Sequence, residues 1–197
     1  MSVQGDLDVF LHAAQAAYAA QVTDARAVSS LVRIFGALGG VIISGAPSPV
    51  RLPVCTYLPG ALGVERLPEG PVRACVQAFA ALEPALTWRR RGGDVRTANA
   101  AYPEGHANAM IVGPGGLVPH RHVWLGVTLL APHVRYPDHT HKPEETYLVL
   151  SDGEFSQDGG PWFAPGVGGT FYNPPGILHA MRSGDAPLFA MWALWMD

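Results

Sequence analysis

Apolar positions in the first 86 residues recur at helical spacing. Leu7, Phe10, Leu11, Ala14 and Tyr18 form one stripe, which predicts a helix from an Asp6 cap to about Gln21. Val28, Leu31, Val32 and Phe35 form a second, opened by Asp24 and stopped by Gly39 and Gly40, and the two predict an antiparallel pair. After the proline-broken stretch GAPSPVRLPVCTYLPG, Pro71 suits the first turn of a third helix. Its stripe is Val72, Cys75, Val76, Phe79 and Leu82, ending near Pro84. From Leu86 the period changes. Short runs rich in Val, Tyr, Trp and Thr, separated by Gly, Pro and Asp, predict antiparallel strands: ALTWRRR, ANAMIVG, VWLGVTLLA, ETYLVLS, GGTFYN, ILHAMRS and LFAMWALW. With no internal repeat and no long polar linker, one α+β unit follows, mainly β: a helical segment over 1–86 packed on a β-sandwich or barrel over 87–197.

Composition sharpens this. The 197 residues are 48% hydrophobic and only 15% charged, which excludes disorder; Gly 23 and Pro 18 suit a turn-rich β architecture. A net charge of −3 gives no global attraction to nucleic acid or anionic membranes. No apolar run approaches the roughly 18 residues of a membrane helix, and MSVQGDLDVF lacks the features of a secretory signal. The expectation is a soluble, cytoplasmic protein. Cys55 and Cys75 make no disulfide framework, and Cys75 is expected to be inert and buried. Arg89, Arg90 and Arg91 are expected to be a solvated strand end.

Candidate chemistry lies in the histidines, seven of eight of which fall in the sheet half. RYPDHTHKPEETYLVLSDG sets His139, His141 and Glu145 in the order H-x-H-x-x-x-E. Alternate residues of an extended chain share a face, pairing His139 with His141 and Glu145 with Tyr147, and KPE supplies the turn that brings the pairs together. Two imidazoles and a carboxylate suit zinc, iron(II) or manganese and leave coordination positions open. GGTFYNPPGILHAM offers His179 as a fourth ligand, placed by a Pro-Pro-Gly turn. The competing reading is ordinary strand histidines. His120 and His122 repeat the H-x-H spacing with no acid in register and are read as surface or structural residues.

YPDHTHKPEETYLVLSDG resembles the first cupin motif, G-x5-H-x-H-x3-4-E-x6-G, and GGTFYNPPGILHAMRS resembles the second, G-x5-P-x-G-x2-H-x3-N. Three departures leave the ligands in place. Tyr136 or Pro137 stands in the region where cupins carry Gly, the interval from Glu145 to Gly153 is one residue longer, and Ser183 replaces the final Asn. The resemblance implies a cupin double-stranded β-helix of the jelly-roll type. Within cupins the chain resembles the dimethylsulfoniopropionate lyases of the DddQ type, by sequence over 133–195 and by layout over the first 85 residues. That resemblance implies one divalent metal ion per chain held by His141, Glu145 and His179, with His139 as a ligand or its immediate neighbour. It also implies a metal-adjacent Tyr147 and a second functional tyrosine at Tyr136.

The implied reaction removes a proton beside a carboxylate and expels neutral dimethyl sulfide, leaving acrylate. A phenol, with an ordinary pKa near 10, serves as base only if a cation stabilises tyrosinate. Tyr147 is the expected base, with Tyr136 the alternative base or a substrate-orienting partner. A sulfonium is attracted by aromatic faces, and Phe171, Tyr172, Trp162, Trp192 and Trp195 are candidates for that wall, against the plainer reading of aromatic core. Because fold alone does not fix function, two other readings stay open: another metal-dependent cupin enzyme, a dioxygenase or sugar isomerase, and a non-catalytic cupin that binds a small ligand. The expected partner is a small-molecule substrate, with no nucleic acid and no membrane; a homodimer is left open.

Overall fold

In the computed structural model, residues 2–45 and 47–196 are described. Helix α1 (Val3–Gln21) begins one turn before Asp6, because Ser2 is the cap and its hydroxyl accepts the Gly5 N–H at 3.2 Å. Asp6 sits in the first turn, where its charge complements the helix dipole. Helix α2 (Ala25–Ala37) is capped by Asp24 as expected, but its buried face is Ala27, Ser30, Leu31, Ile34 and Phe35. Val28 and Val32 are exposed, 43% and 69%, because Ile34 takes the inward position the valines were expected to share. Two short elements, a 3-10 turn at Pro53–Tyr57 and α3 (Leu58–Leu62), lead to α4 (Pro71–Leu82), which starts at its proline and buries Cys75, Val76, Phe79 and Leu82. The main helical neighbour of α1 is α4 rather than α2. Phe10 meets Phe79 at 6.1 Å between ring centroids, and Phe79 in turn packs on Trp88 and Phe189, joining the helices to the sheet in one continuous core. Each such ring contributes about 1.5–3 kcal/mol of burial. Among the described residues no helix is long and apolar enough to cross a membrane.

After the two-residue β1 (Trp88–Arg89) and the single turn α5 (Tyr102–Gly105) come β2 (His106–Val112), β3 (Val123–Leu130), β4 (Glu144–Val149), β5 (Glu154–Gln157), β6 (Thr170–Asn173), β7 (His179–Arg182) and β8 (Leu188–Trp195). Six form one antiparallel sheet in the order β1-β2-β3-β8-β4-β6, and β5 pairs with β7 in a second. The smaller sheet is wider than its two named strands. The segment before β4 runs along β7 through Ser183 N–H to Val134 O, Tyr136 N–H to Met181 O and a reciprocal His139–His179 pair, while Phe163 bridges Phe155 on the other edge. This is the cupin sandwich that the motifs imply. The expected strands form; β5, EFSQ, was not among them because two polar ends flank a single large apolar residue.

Register decides which side chains meet between the sheets. Glu145 pairs with Leu194 and Asn173, and Tyr147 with Trp192 and Phe171, so these share the inner face of the large sheet. Glu144 pairs with Trp195, and Thr146 with Tyr172, and these share the outer face, beneath the helices.

Candidate metal centre and its cavity

The two sheets bring together residues that are 40 positions apart. His139 lies on the edge of the smaller sheet and His179 opens β7 beside it; His141 stands in the crossover, and Glu145 sits on β4 of the larger sheet. One donor atom from each of His139, His141 and His179 lies within 4.8 Å of the others. Nε2 of His141 and Nε2 of His179 are each 3.3 Å from Oε2 of Glu145. Glu145 is buried, and Oε2 also accepts Nδ2–H of Asn173 at 2.9 Å.

Tautomers explain why the imidazoles converge. Nδ1 of His139 faces the Pro137 carbonyl at 2.9 Å, that of His141 the Pro143 carbonyl at 2.9 Å, and that of His179 the Ile177 carbonyl at 3.1 Å. A carbonyl only accepts, so each Nδ1 carries the proton and each neutral ring turns an Nε2 lone pair inward. Nε2 of His141 and of His179 are buried with no hydrogen-bond partner. Lone pairs aimed at a carboxylate need a cation between them. Two donors about 2.1 Å from one ion at a tetrahedral angle stand about 3.4 Å apart, which the 3.3 Å spacings match. The donor set fits one divalent ion, for which zinc, iron(II) and manganese are all suitable.

In the metal-free site a proton shared between these imidazoles and Glu145 takes the place of that ion. Burial, and then His179, push the His139 imidazole down to about 3, so it stays neutral. For Glu145 burial disfavours the anion, but the hydrogen bonds from His141 and His179 outweigh it and hold the carboxyl well below its usual range. For His141 burial also opposes the charge, and its bond to Glu145 overcomes this and raises it. Tyr147 and Tyr136, both buried, are raised mainly by desolvation.

A cavity of about 420 Å³ opens over this centre. His139, His141, Glu145, Tyr136, Tyr147 and Trp192 all line it. The other aromatic candidates lie elsewhere. Phe171 shares the inner face but stacks behind Tyr147, at 4.9 Å and 10°, against Phe155 and Phe163. Tyr172 and Trp195 are on the outer face: Tyr172 bonds Glu144 beneath Arg26, and Trp195 lies beneath Arg33 and stacks on His122. Trp162 lies against Arg135 and Arg182, outside the cavity. The expected wall thus reduces to Trp192, since register, which the local sequence does not carry, turns Tyr172 and Trp195 away. His122 bonds the Met196 carbonyl, and His120 accepts two backbone N–H groups, as structural histidines do. Both cysteines are free and buried, and burial pushes the Cys75 thiol up to about 12.

Sequence reasoning missed one chain of side chains and a set of cations. Trp192 Nε1–H donates to Thr128 Oγ1 at 3.0 Å, Thr128 donates to Asn108 Oδ1 at 2.6 Å, and Asn108 Nδ2–H donates to the Tyr136 hydroxyl oxygen at 3.0 Å. The bond from Asn108 uses the Tyr136 oxygen as an acceptor and not its proton, which has the neighbouring Tyr102 hydroxyl within reach. Arg89, Arg90 and Arg91 line the cavity rather than a merely solvated strand end.

The family model for dimethylsulfoniopropionate lyase matches residues 26–190. The chain is 32% identical to DddL of Cereibacter sphaeroides over 144 residues, which span 73% of this chain and 58% of that protein. It is 28% identical to dimethylsulfoniopropionate lyase DddQ of Ruegeria pomeroyi over 75% of this chain and 72% of the relative. The crystal structure of that DddQ superposes with a TM-score of 0.72 at 22% identity, covering 98% of this chain and 92% of the other, which shows the shared fold. With the family model covering both motifs and most of the helical segment, the chain belongs to the dimethylsulfoniopropionate lyase family.

Proposed function

We propose that this chain is a metal-dependent carbon–sulfur lyase that cleaves dimethylsulfoniopropionate to dimethyl sulfide and acrylate by β-elimination. The observation that carries the reading is the convergence of His139, His141, His179 and Glu145 beneath a cavity lined by two tyrosines and Trp192. A divalent ion held by these residues supplies positive charge that neutralises a substrate carboxylate and favours an ionised phenol nearby.

Tyr147 acts as the base. It is two residues beyond Glu145 on the same face, and its ring is held by the stack on Phe171. Its oxygen takes the proton from the carbon beside the carboxylate, the C–H pair becomes the C=C bond of acrylate, and the Cβ–S pair leaves on sulfur as neutral dimethyl sulfide. No acid is needed for that leaving group. Trp192 presents a ring face to the sulfonium, because its N–H is engaged by Thr128. Tyr136 orients the substrate. The bond its oxygen accepts from Asn108 stabilises an anion there and supports a second reading with Tyr136 as base.

The test is chromatographic measurement of dimethyl sulfide and acrylate after loading with zinc, iron(II) or manganese. Equimolar products are expected with at least one metal. No acrylate with any of them, or oxygen uptake by the iron-loaded protein, would replace the lyase with another cupin chemistry.

A further inference from the structure

We propose that Arg91, assisted by Arg89, is the carboxylate-recognition element of this cavity, an assignment that rests on the lyase reading for the identity of its ligand. Of the side chains lining the cavity, three are guanidinium groups and one, Glu145, is a carboxylate, already engaged by His141, His179 and Asn173. Arg90 is paired with Glu104. Neither Arg89 nor Arg91 forms an ion pair with a carboxylate among the described residues; Asp94, which feels Arg91 at a distance, is paired with Arg96. A cavity wall carrying two guanidinium groups outside any ion pair selects an anionic group, and a planar guanidinium matches a carboxylate with parallel N–H donors.

Arg91 is also held in advance. Its backbone N–H donates to Nε2 of His106 at 2.9 Å, and Nδ1–H of His106 donates to the Tyr102 carbonyl. The His106 ring stacks on Tyr102 at 3.7 Å and 6°, and the Arg91 guanidinium lies 5.9 Å from the centroid of the Tyr136 ring. Nη1 of Arg91 is buried without a hydrogen bond of good geometry, and the neighbouring acceptor is the Tyr102 hydroxyl, itself unsatisfied. A desolvated, positioned N–H without a well-aligned acceptor is costly, and a carboxylate oxygen removes that cost. Arg89, at the end of β1 beside Gly115, is the exposed member of the pair. A zwitterionic substrate then lies with its carboxylate towards the arginines and the ion, and its cationic end towards the ring of Trp192.

The test uses metal-loaded wild type, R91Q and R89Q, titrated calorimetrically with propionate and with trimethylsulfonium, alongside metal analysis and kinetics with dimethylsulfoniopropionate. R91Q should bind propionate about tenfold to a hundredfold more weakly, as loss of a charge-assisted hydrogen bond does. Its metal content and trimethylsulfonium affinity should be unchanged, and its KM should rise far more than kcat falls. R89Q should show a smaller change of the same kind, and carries the test alone if R91Q does not fold. Propionate affinity within twofold of wild type in the folded variants, or no propionate binding by wild type, overturns the assignment. Wild type that binds propionate through Arg91 but forms no acrylate would remove the lyase reading alone; acrylate formation with an unaltered KM in R91Q would remove this assignment alone.

Discussion

Nε2 of His179 stands 3.3 Å from Oε2 of Glu145, yet the other nitrogen of that imidazole already faces a backbone carbonyl. Two acceptors therefore confront each other in a buried site, and His141 repeats the arrangement from the crossover. Such a geometry persists only with positive charge between the atoms, either a proton or the metal ion proposed above. Replacing His179 or His141 by Ala should thus abolish stoichiometric metal and acrylate formation together, read by elemental analysis and product assay. Full metal content in both variants would reject the ligand set.

Acidity offers an independent measure on the metal-free protein. His139 has its pKa lowered from 6.5 to about 3 by burial, so an unfolded chain takes up a proton below pH 6.5 that the folded chain refuses. Stability should fall as pH drops from 6.5, and more steeply below 4.5, where the depressed Glu145 adds its own loss. His141 has the opposite sign: raised above 6.5, it stabilises fully below that value and the contribution fades as pH rises through its folded pKa. These groups together place the maximum near pH 6.5. A ligand histidine must be neutral to hold metal, so thermal melts should show the maximum moving to higher pH once metal is bound. A maximum unaffected by metal would count against His141 as a ligand.

The two tyrosines separate by substitution. Tyr147→Phe should keep its metal and lose about 10²–10⁴-fold in kcat, the span general-base removal produces. Tyr136→Phe should chiefly raise KM, since it removes the hydroxyl that Asn108 holds in the cavity wall. Near-normal turnover in the first variant and the large kcat loss in the second would transfer the base to Tyr136.

How much of this was legible beforehand follows from distance along the chain. His139, His141 and Glu145 fall within seven residues, so strand alternation and one turn bring them close without knowledge of the fold. Tyr172 and Trp195 could not be sorted from Trp192 by composition, because a single step of register exchanges the inner and outer faces. Asn108, Thr128 and Arg91 come from three separate strand regions and converge only through pairing. A signal for two of them exists. After His106 at its start, Asn108 is the one polar side chain of β2, and Thr128 is the one hydroxyl or amide in β3; a polar group in an otherwise buried strand requires a partner.

That requirement gives a prediction about the wall itself. Thr128→Val conserves shape but removes the hydroxyl that links Trp192 to Asn108, leaving a buried indole N–H without an acceptor. The loss should be about 1–3 kcal/mol in denaturant unfolding, as for other unpaired buried donors, while Thr128→Ser, which restores the oxygen, should recover most of it. Equal stability of the Val variant and the wild type would mean that the chain of bonds does not hold Trp192.

Space behind the same indole is the other condition for the cavity. A Cβ built at Gly126 would lie 2.5 Å from the Ala109 carbonyl oxygen and would collide with Trp192 Cη2, so the indole lies over β3 only because residue 126 has no side chain. Neither obstacle can yield cheaply: one is backbone fixed in the β2–β3 ladder, and the other is a ring whose N–H is fixed by Thr128. Gly126→Ala should therefore destabilise by about 1–3 kcal/mol, the range of core overpacking, and push Trp192 into the 420 Å³ space above the metal centre. Weaker trimethylsulfonium binding with full metal content should accompany the lowered melting temperature. Wild-type affinity in this variant would show that the ring does not form the cation wall.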